Sequence, residues 1–506
     1  MTANDSNWLV AYHRFGLGAR QGAAASSAEA QSAVLAELSA PDAGLMPAPA
    51  MPDTPTLIEA VRVDGQQRKA EQERFTSEQR GRLGMPAPNV APLLDLSGQS
   101  PSTGAMSGVA KAAPGAMSMA TMGMGEAGSM MKTPDERPEG AFYRNDAMAR
   151  IVQANAPAIG YVERLVAFWS NHFCVSAQKN GVGRATAGAF EREAIRPHVL
   201  GKFADMLKAV EQHPAMLNYL DNAQSVGPKS NAGIKKRAGL NENLAREILE
   251  LHTLGVGSGY TQTDVTQFAR VLTGWTIVGR DGHLGRPGGF AFNEGAHEPG
   301  GATILGRAYA QNGVAQGEAV LADLASSAAT ARHIARKLVR HFIADEPDAD
   351  LVARLAAVFG QSNGDLMKLS AALANDEAAW RAPLTKIRNP WELTIAAHRA
   401  FAAPLDRPGP TLNALNLLGM PLWQPAGPNG FSDDNAAWAT PEGMKMRLEL
   451  APELAQAGPH TPAPEALLAD ILGPNVSTPT RQAIARAETR EQAYALLVMS
   501  PEFQRR

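Results

Sequence analysis

Three histidines and two glutamates stand where packing alone would not call for them. His172 lies near the centre of the apolar face that Leu165, Val166, Phe168, Trp169 and Phe173 make at 100° per residue. His252 falls in the middle of a second apolar arc, formed by Leu244, Ala245, Ile248, Leu249 and Leu251. A buried imidazole left without a partner costs roughly 1 to 3 kcal/mol, so each of these must hydrogen-bond or bind something. Glu247 and Glu250 precede His252 closely, and His297 follows a candidate strand in the loop NEGAHEPGG. Neutral imidazole with carboxylate suits Zn²⁺, Mn²⁺ or Fe²⁺. The expectation is a buried polar site in which His172, Glu250, His252 and His297 are metal ligands and Glu247 is a general base, with Arg246 and Asp264 as further candidate catalytic residues.

Each residue also has a plainer use. A core histidine can simply bond a main-chain carbonyl, and His297 can be an exposed loop residue. Glu242, Arg246 and Glu250 are four apart and can form a charge ladder worth a few tenths of a kcal/mol per pair. Asp264 follows Thr261 and Thr263 at a helix start, where it favours the helix dipole. Arg332, Arg336 and Arg340 read as a solvated face, Asp221 and Asn222 as turn formers, and Trp275 as a core aromatic. There is no HExxH or CxxC spacing, so a metal site would depend on long-range convergence. There is likewise no GxSxG elbow, Walker loop or complete dinucleotide fingerprint.

The elements that must position these residues are helices. Periodic stretches cover Ala149 to Phe173, Ala187 to Val210, Glu242 to Leu254, Gln262 to Gly274 and Ala329 to Ile343, and further ones continue to Met499. A strand is expected only at Gly289 to Phe292. The predicted fold class is mainly α, a multi-helical array with at most a short β-hairpin near 285–305. The expected organisation is an N-terminal helical segment (1–80), a disordered Gly/Ser/Met-rich insert (81–138), a central helical core (139–345) and a C-terminal helical region (346–506). The insert carries seven methionines between Ser100 and Thr133. Clustered thioethers favour Cu(I), yet no nearby His or Cys would complete a site, so low-complexity drift is the simpler reading.

Composition sets outer bounds. With 44% hydrophobic and 19% charged residues over 506 positions, the chain has the balance of a globular protein. A net charge of −3 offers no electrostatic reason for nucleic acid or an anionic membrane as main partner. The single cysteine, Cys174, excludes an internal disulfide framework. No apolar run is long enough to span a bilayer. Met1 to Arg20 lacks a basic region followed by an apolar stretch, which reads as cytoplasmic.

Five segments carry a resemblance to a known family: RFGLGA (Arg14 to Ala19), FWSNHF (Phe168 to Phe173), the long run from Asn241 to Trp275, ARHIARKLVRHFIADEP (Ala331 to Pro347) and LGMPLWQPAGPNGF (Leu418 to Phe431). On them the chain resembles the bacterial domain of unknown function 1800 family. That resemblance implies no particular reaction. It implies a partner, a sulfatase-like protein of the domain of unknown function 1501 family, and hence a second class of function: a non-catalytic helical scaffold or escort, itself exported as a passenger if the partner is exported. A thinner likeness links His252 to Gly255 with the proximal haem-ligand segment of plant-type peroxidases, His172 then being distal. Glu250 stands where those enzymes have a small residue, and Phe168 where they have an arginine.

Overall fold

The computed structural model describes residues 7–23, 30–46, 51–82, 136–236, 239–473 and 476–506. Nearly all of the Met-rich insert lies outside them. The described residues are 62% helical. Among the described residues two antiparallel strand pairs are present rather than one hairpin: Trp275–Ile277 with Phe290–Phe292, and Ala302–Ile304 with Arg307–Tyr309. Trp275 therefore opens a strand instead of closing a helix, and its indole is fully buried. No helix among the described residues is long and apolar enough to cross a membrane.

The apolar faces meet in one large core that draws side chains from Trp8 to Phe503. Threaded through it are arginines that spend most of their donors on fixed acceptors, although Nε of Arg14 and of Arg164 is buried without one. Arg14 donates to the carbonyls of Ala379, Ala382 and Pro383 at 2.6 to 2.9 Å. Arg164 reaches the carbonyls of His13 and Gly16 and the Glu392 carboxylate, 2.8 Å away. Arg506 binds the other oxygen of Glu392 at 2.5 Å and the carbonyl of His341. Arg196 is held between Glu163 and Glu191. Five-donor guanidinium forks suit this work, since buried charge is tolerated only when paired and hydrogen-bonded.

RFGLGA owes its glycines to close approach: a Cβ on Gly18, which has φ +107°, would lie 2.7 Å from the Ala396 side chain. Among the described residues three π-helical turns interrupt the helices, at Val10–Phe15, Glu191–Ile195 and Ile248–His252. Such turns carry one extra residue and re-aim the side chains after them. The helix expected over Glu242 to Leu254 is thus α from Asn243 to Glu247 and π beyond it. It is closed by the Thr253 hydroxyl on the Ile248 carbonyl, 2.6 Å, and by Gly255 at φ +91°.

Candidate active site

The helix Tyr161–His172 and the π turn Ile248–His252 bring the two core histidines side by side, with ring centroids 6.2 Å apart. His172 Nε2 lies 3.1 Å from the main-chain carbonyl of His252. A carbonyl only accepts, so Nε2 carries the proton and Nδ1 carries the lone pair. Lys337 donates to that lone pair, its Nζ 2.9 Å away. Burial first, and then the Lys337 charge, hold His172 well below the usual imidazole range, so the ring is neutral. His252 donates from Nδ1 to Glu211 Oε1 at 2.8 Å, with both side chains closed off from solvent. The second oxygen of Glu211 is buried without a hydrogen-bond partner.

Glu247 differs from all of these. It is half-buried and makes no hydrogen bond or ion pair among the described residues. Burial raises its carboxyl above the ordinary range, His252 and Arg246 oppose that shift, and the neighbouring charge of Glu250 adds to it. Glu247 and Lys337 both act electrostatically on Cys174, whose thiol burial pushes up to about 12. Glu247 and Cys174 also contribute to raising the Tyr219 phenol, after burial. Lys337 itself is lowered by burial, and Asp433 opposes that shift. Cys174 thus feels the charges of both Lys337 and Glu247, and Tyr219 those of Cys174 and Glu247.

The loop from Leu418 to Phe431 packs over Asn171 and Cys174. Asn171 donates to the Phe431 carbonyl and accepts from its N–H, both at 2.8 Å. Gly430, at φ +74°, fits there because a Cβ would fall 2.5 Å from the Asn171 carbonyl. Beneath the loop is a cavity of about 50 Å³, room for roughly three or four waters, bordered by Cys174, Asn171, His341, Asp433, Trp391 and Trp423. All five family-like segments either contribute to this zone or brace it.

The remaining sequence candidates are elsewhere engaged. Glu250 and Glu242 pair with Arg246 at 3.3 and 3.2 Å, the charge ladder in its plain form. Asp264 completes a capping box with Thr261 and accepts from the N–H of Leu305. His297 bonds the Thr273 carbonyl through Nδ1 at 2.9 Å and packs on Phe292. Arg332 and Arg336 are exposed. Asn222 is buried and donates to the carbonyls of Leu272 and Trp275.

Among the described residues, no group of three or more His, Cys, Asp or Glu is arranged to hold a metal ion. The residues present do not fit the expected ligand set, because His172 has committed both ring nitrogens and Glu250 and His297 are bonded to other partners. Haem fits no better, since Phe173 packs against both His172 and His252, with ring centroids 4.4 and 5.2 Å away. Sequence reasoning missed Glu211, Lys337 and Asp433. Glu211 left a readable signal: it flanks the apolar arc of Phe203, Met206, Leu207 and Val210, as unexpected there as the histidines on theirs.

A family model described as "Protein of unknown function (DUF1800)" matches residues 10–505. The chain belongs to that family. No curated protein and no solved structure matches it. For this DUF1800 chain the site must therefore be read from its own chemistry, and what that chemistry supplies is a neutral histidine, a carboxylate–histidine pair, a desolvated lysine and an unengaged glutamate.

Proposed function

We propose that this DUF1800 protein is an enzyme that transfers protons to and from a substrate in the neighbourhood of Glu247. The observation that carries the reading is Glu247 itself, a half-buried carboxyl with a raised pKa and no structural bond to keep it there. General acid–base groups are tuned in this way, toward the working pH. The Glu211–His252 pair and the Lys337–His172 bond support the reading as the rigid floor that fixes where a substrate meets Glu247. The proposal needs no metal.

The test is the Glu247→Gln variant, expressed in a strain lacking the native protein and scored for the cellular role together with co-purification of a sulfatase-like partner. Loss of the role with the fold intact supports acid–base chemistry. If the variant performs normally while a partner complex persists, the protein is a scaffold or escort and the enzymatic reading is wrong.

A further inference from the structure

His341 is the penultimate residue of the helix Ala328–Phe342, and its ring is buried. Its Nδ1 lies 2.7 Å from Asp433 Oδ1. Burial opposes ionisation of Asp433, yet the His341 contact and the Lys337 and Lys386 charges outweigh it and hold the carboxyl at about 2. A carboxylate only accepts, so Nδ1 carries the proton and Nε2 the lone pair. Burial lowers His341 below the ordinary imidazole value against the pull of Asp433, and the Arg506 and Arg164 charges add to that shift, so the ring is neutral at pH 7.

That lone pair is unspent. Among the described residues, His341 Nε2 is the only histidine nitrogen buried without a hydrogen-bond partner. His13, His172 and His213, buried as well, are bonded through both ring nitrogens. A buried acceptor left idle weakens a fold, so one that persists has a use outside it. His341 and Asp433 both border the cavity beneath the loop Leu418–Phe431, which neither Glu247 nor Lys337 touches. Ser432 on its rim is exposed, so the cavity reaches solvent there. Its walls are largely apolar, with Leu415, Leu422 and the indoles of Trp391 and Trp423. The charges beside it are already matched. Arg150 lies over both indoles, 4.5 and 5.4 Å from their centroids, and pairs with Glu191 at 3.2 Å, while Arg164 pairs with Glu392 at 2.8 Å.

We propose that this cavity binds a small neutral hydroxyl compound, a primary alcohol of two or three carbons, which donates its O–H to His341 Nε2 and lays its carbons against Trp391 and Trp423. A free acceptor demands a donor on the ligand. Charges that are already paired offer nothing to an ionic one, and apolar walls favour carbon. A volume of about 50 Å³, enough for three or four waters, takes as many heavy atoms of an alcohol. Asp433 is the positioning residue, since it fixes the tautomer that leaves Nε2 free to accept. The site is separate from the reading of Glu247.

The experiment adds 2-fluoroethanol to the unaltered full-length protein and follows the width of its fluorine resonance while ethanol or acetonitrile is titrated in. The two competitors are equal in heavy atoms, and only ethanol has a donor. Saturable broadening should be reversed by ethanol at about tenfold lower concentration than by acetonitrile, the factor that one hydrogen bond supplies. No saturable broadening, or equal displacement by both, overturns the proposal and leaves the cavity to water. In the same protein carrying nitrogen-15 histidine, one non-protonated ring nitrogen should shift as the alcohol saturates; no shift overturns the proposal as well. His341→Phe keeps a ring, removes the acceptor and should weaken 2-fluoroethanol binding about tenfold. A folded His341→Phe that binds as tightly as the native chain places the alcohol elsewhere and sinks the assignment. Glu247→Gln should bind 2-fluoroethanol as the native chain does, so this site and the acid–base reading stand or fall separately.

Discussion

The arginine network around Glu392 and the histidine cluster near Glu247 are both polar groups set in apolar packing, and they differ in how fully they are paired. Glu392 shares its oxygens between Arg164 and Arg506, and its carboxyl is held at about 2 despite burial because both guanidiniums favour the anion. Glu247, carrying the same functional group, has no bond at all and moves the opposite way. Saturation marks a group that holds the fold. A polar group kept half-buried and unpaired costs stability, and that cost needs a reason outside the fold.

Acid should act first through the buried neutral histidines, which lie in both regions and beyond them. His13, His333 and His398 are held neutral by burial, at about 3, 4 and 4. Once unfolded they protonate near 6.5, so their contribution is complete above that pH and is lost as pH falls through it. By pH 5 each should have cost on the order of 2 kcal/mol, roughly 6 together. A second loss follows between about pH 4.5 and 2, as the Glu392 and Asp433 carboxylates, both at about 2, reach their folded values. Urea unfolding at pH 7, 6, 5 and 4 should show the first drop; a midpoint constant from pH 7 to 5 would contradict it.

Glu392→Ala should be the most damaging single change in the comparison. It strands Arg164 and Arg506 in the core and should destabilise by about 3 to 5 kcal/mol, read as a lower urea midpoint at unchanged slope. Glu211→Gln retains an acceptor for His252 but loses the charge, and should cost about 1 to 3 kcal/mol in the same assay. Glu247→Gln should shift stability by no more than about 0.5 kcal/mol. Its sign should depend on pH: a carboxyl raised by folding loses stability as pH rises above the ordinary value, so the Gln variant gains relative to the native chain between pH 5 and 8. A large loss on Glu247→Gln would place that residue with Glu392 and erase the contrast.

The helical architecture was legible because 3.6-residue periodicity survives in the sequence, and so was the oddity of His172 and His252 on apolar arcs. The partners were not. Glu211 lies 41 residues before His252, and Lys337 lies 165 after His172, separations that no local pattern reports. Glu250 and His297 misled for the same reason. Their residue types suit a metal, and only the three-dimensional arrangement shows that Arg246 and the Thr273 carbonyl had already claimed them. The strand at Trp275 was missed because its pairing is with Phe292, across a loop whose turns are set by glycines at positive φ.

The π turn at Ile248–His252 has a consequence for how this chain tolerates change in length. Removing one residue from the turn would restore ordinary α geometry and rotate everything after it by about 100°. His252 would swing off Glu211, and its carbonyl off His172, with no change in composition or hydropathy. Shortened homologues or splice-like deletions at this point should therefore be functionally silent proteins that still look, by composition alone, like intact ones.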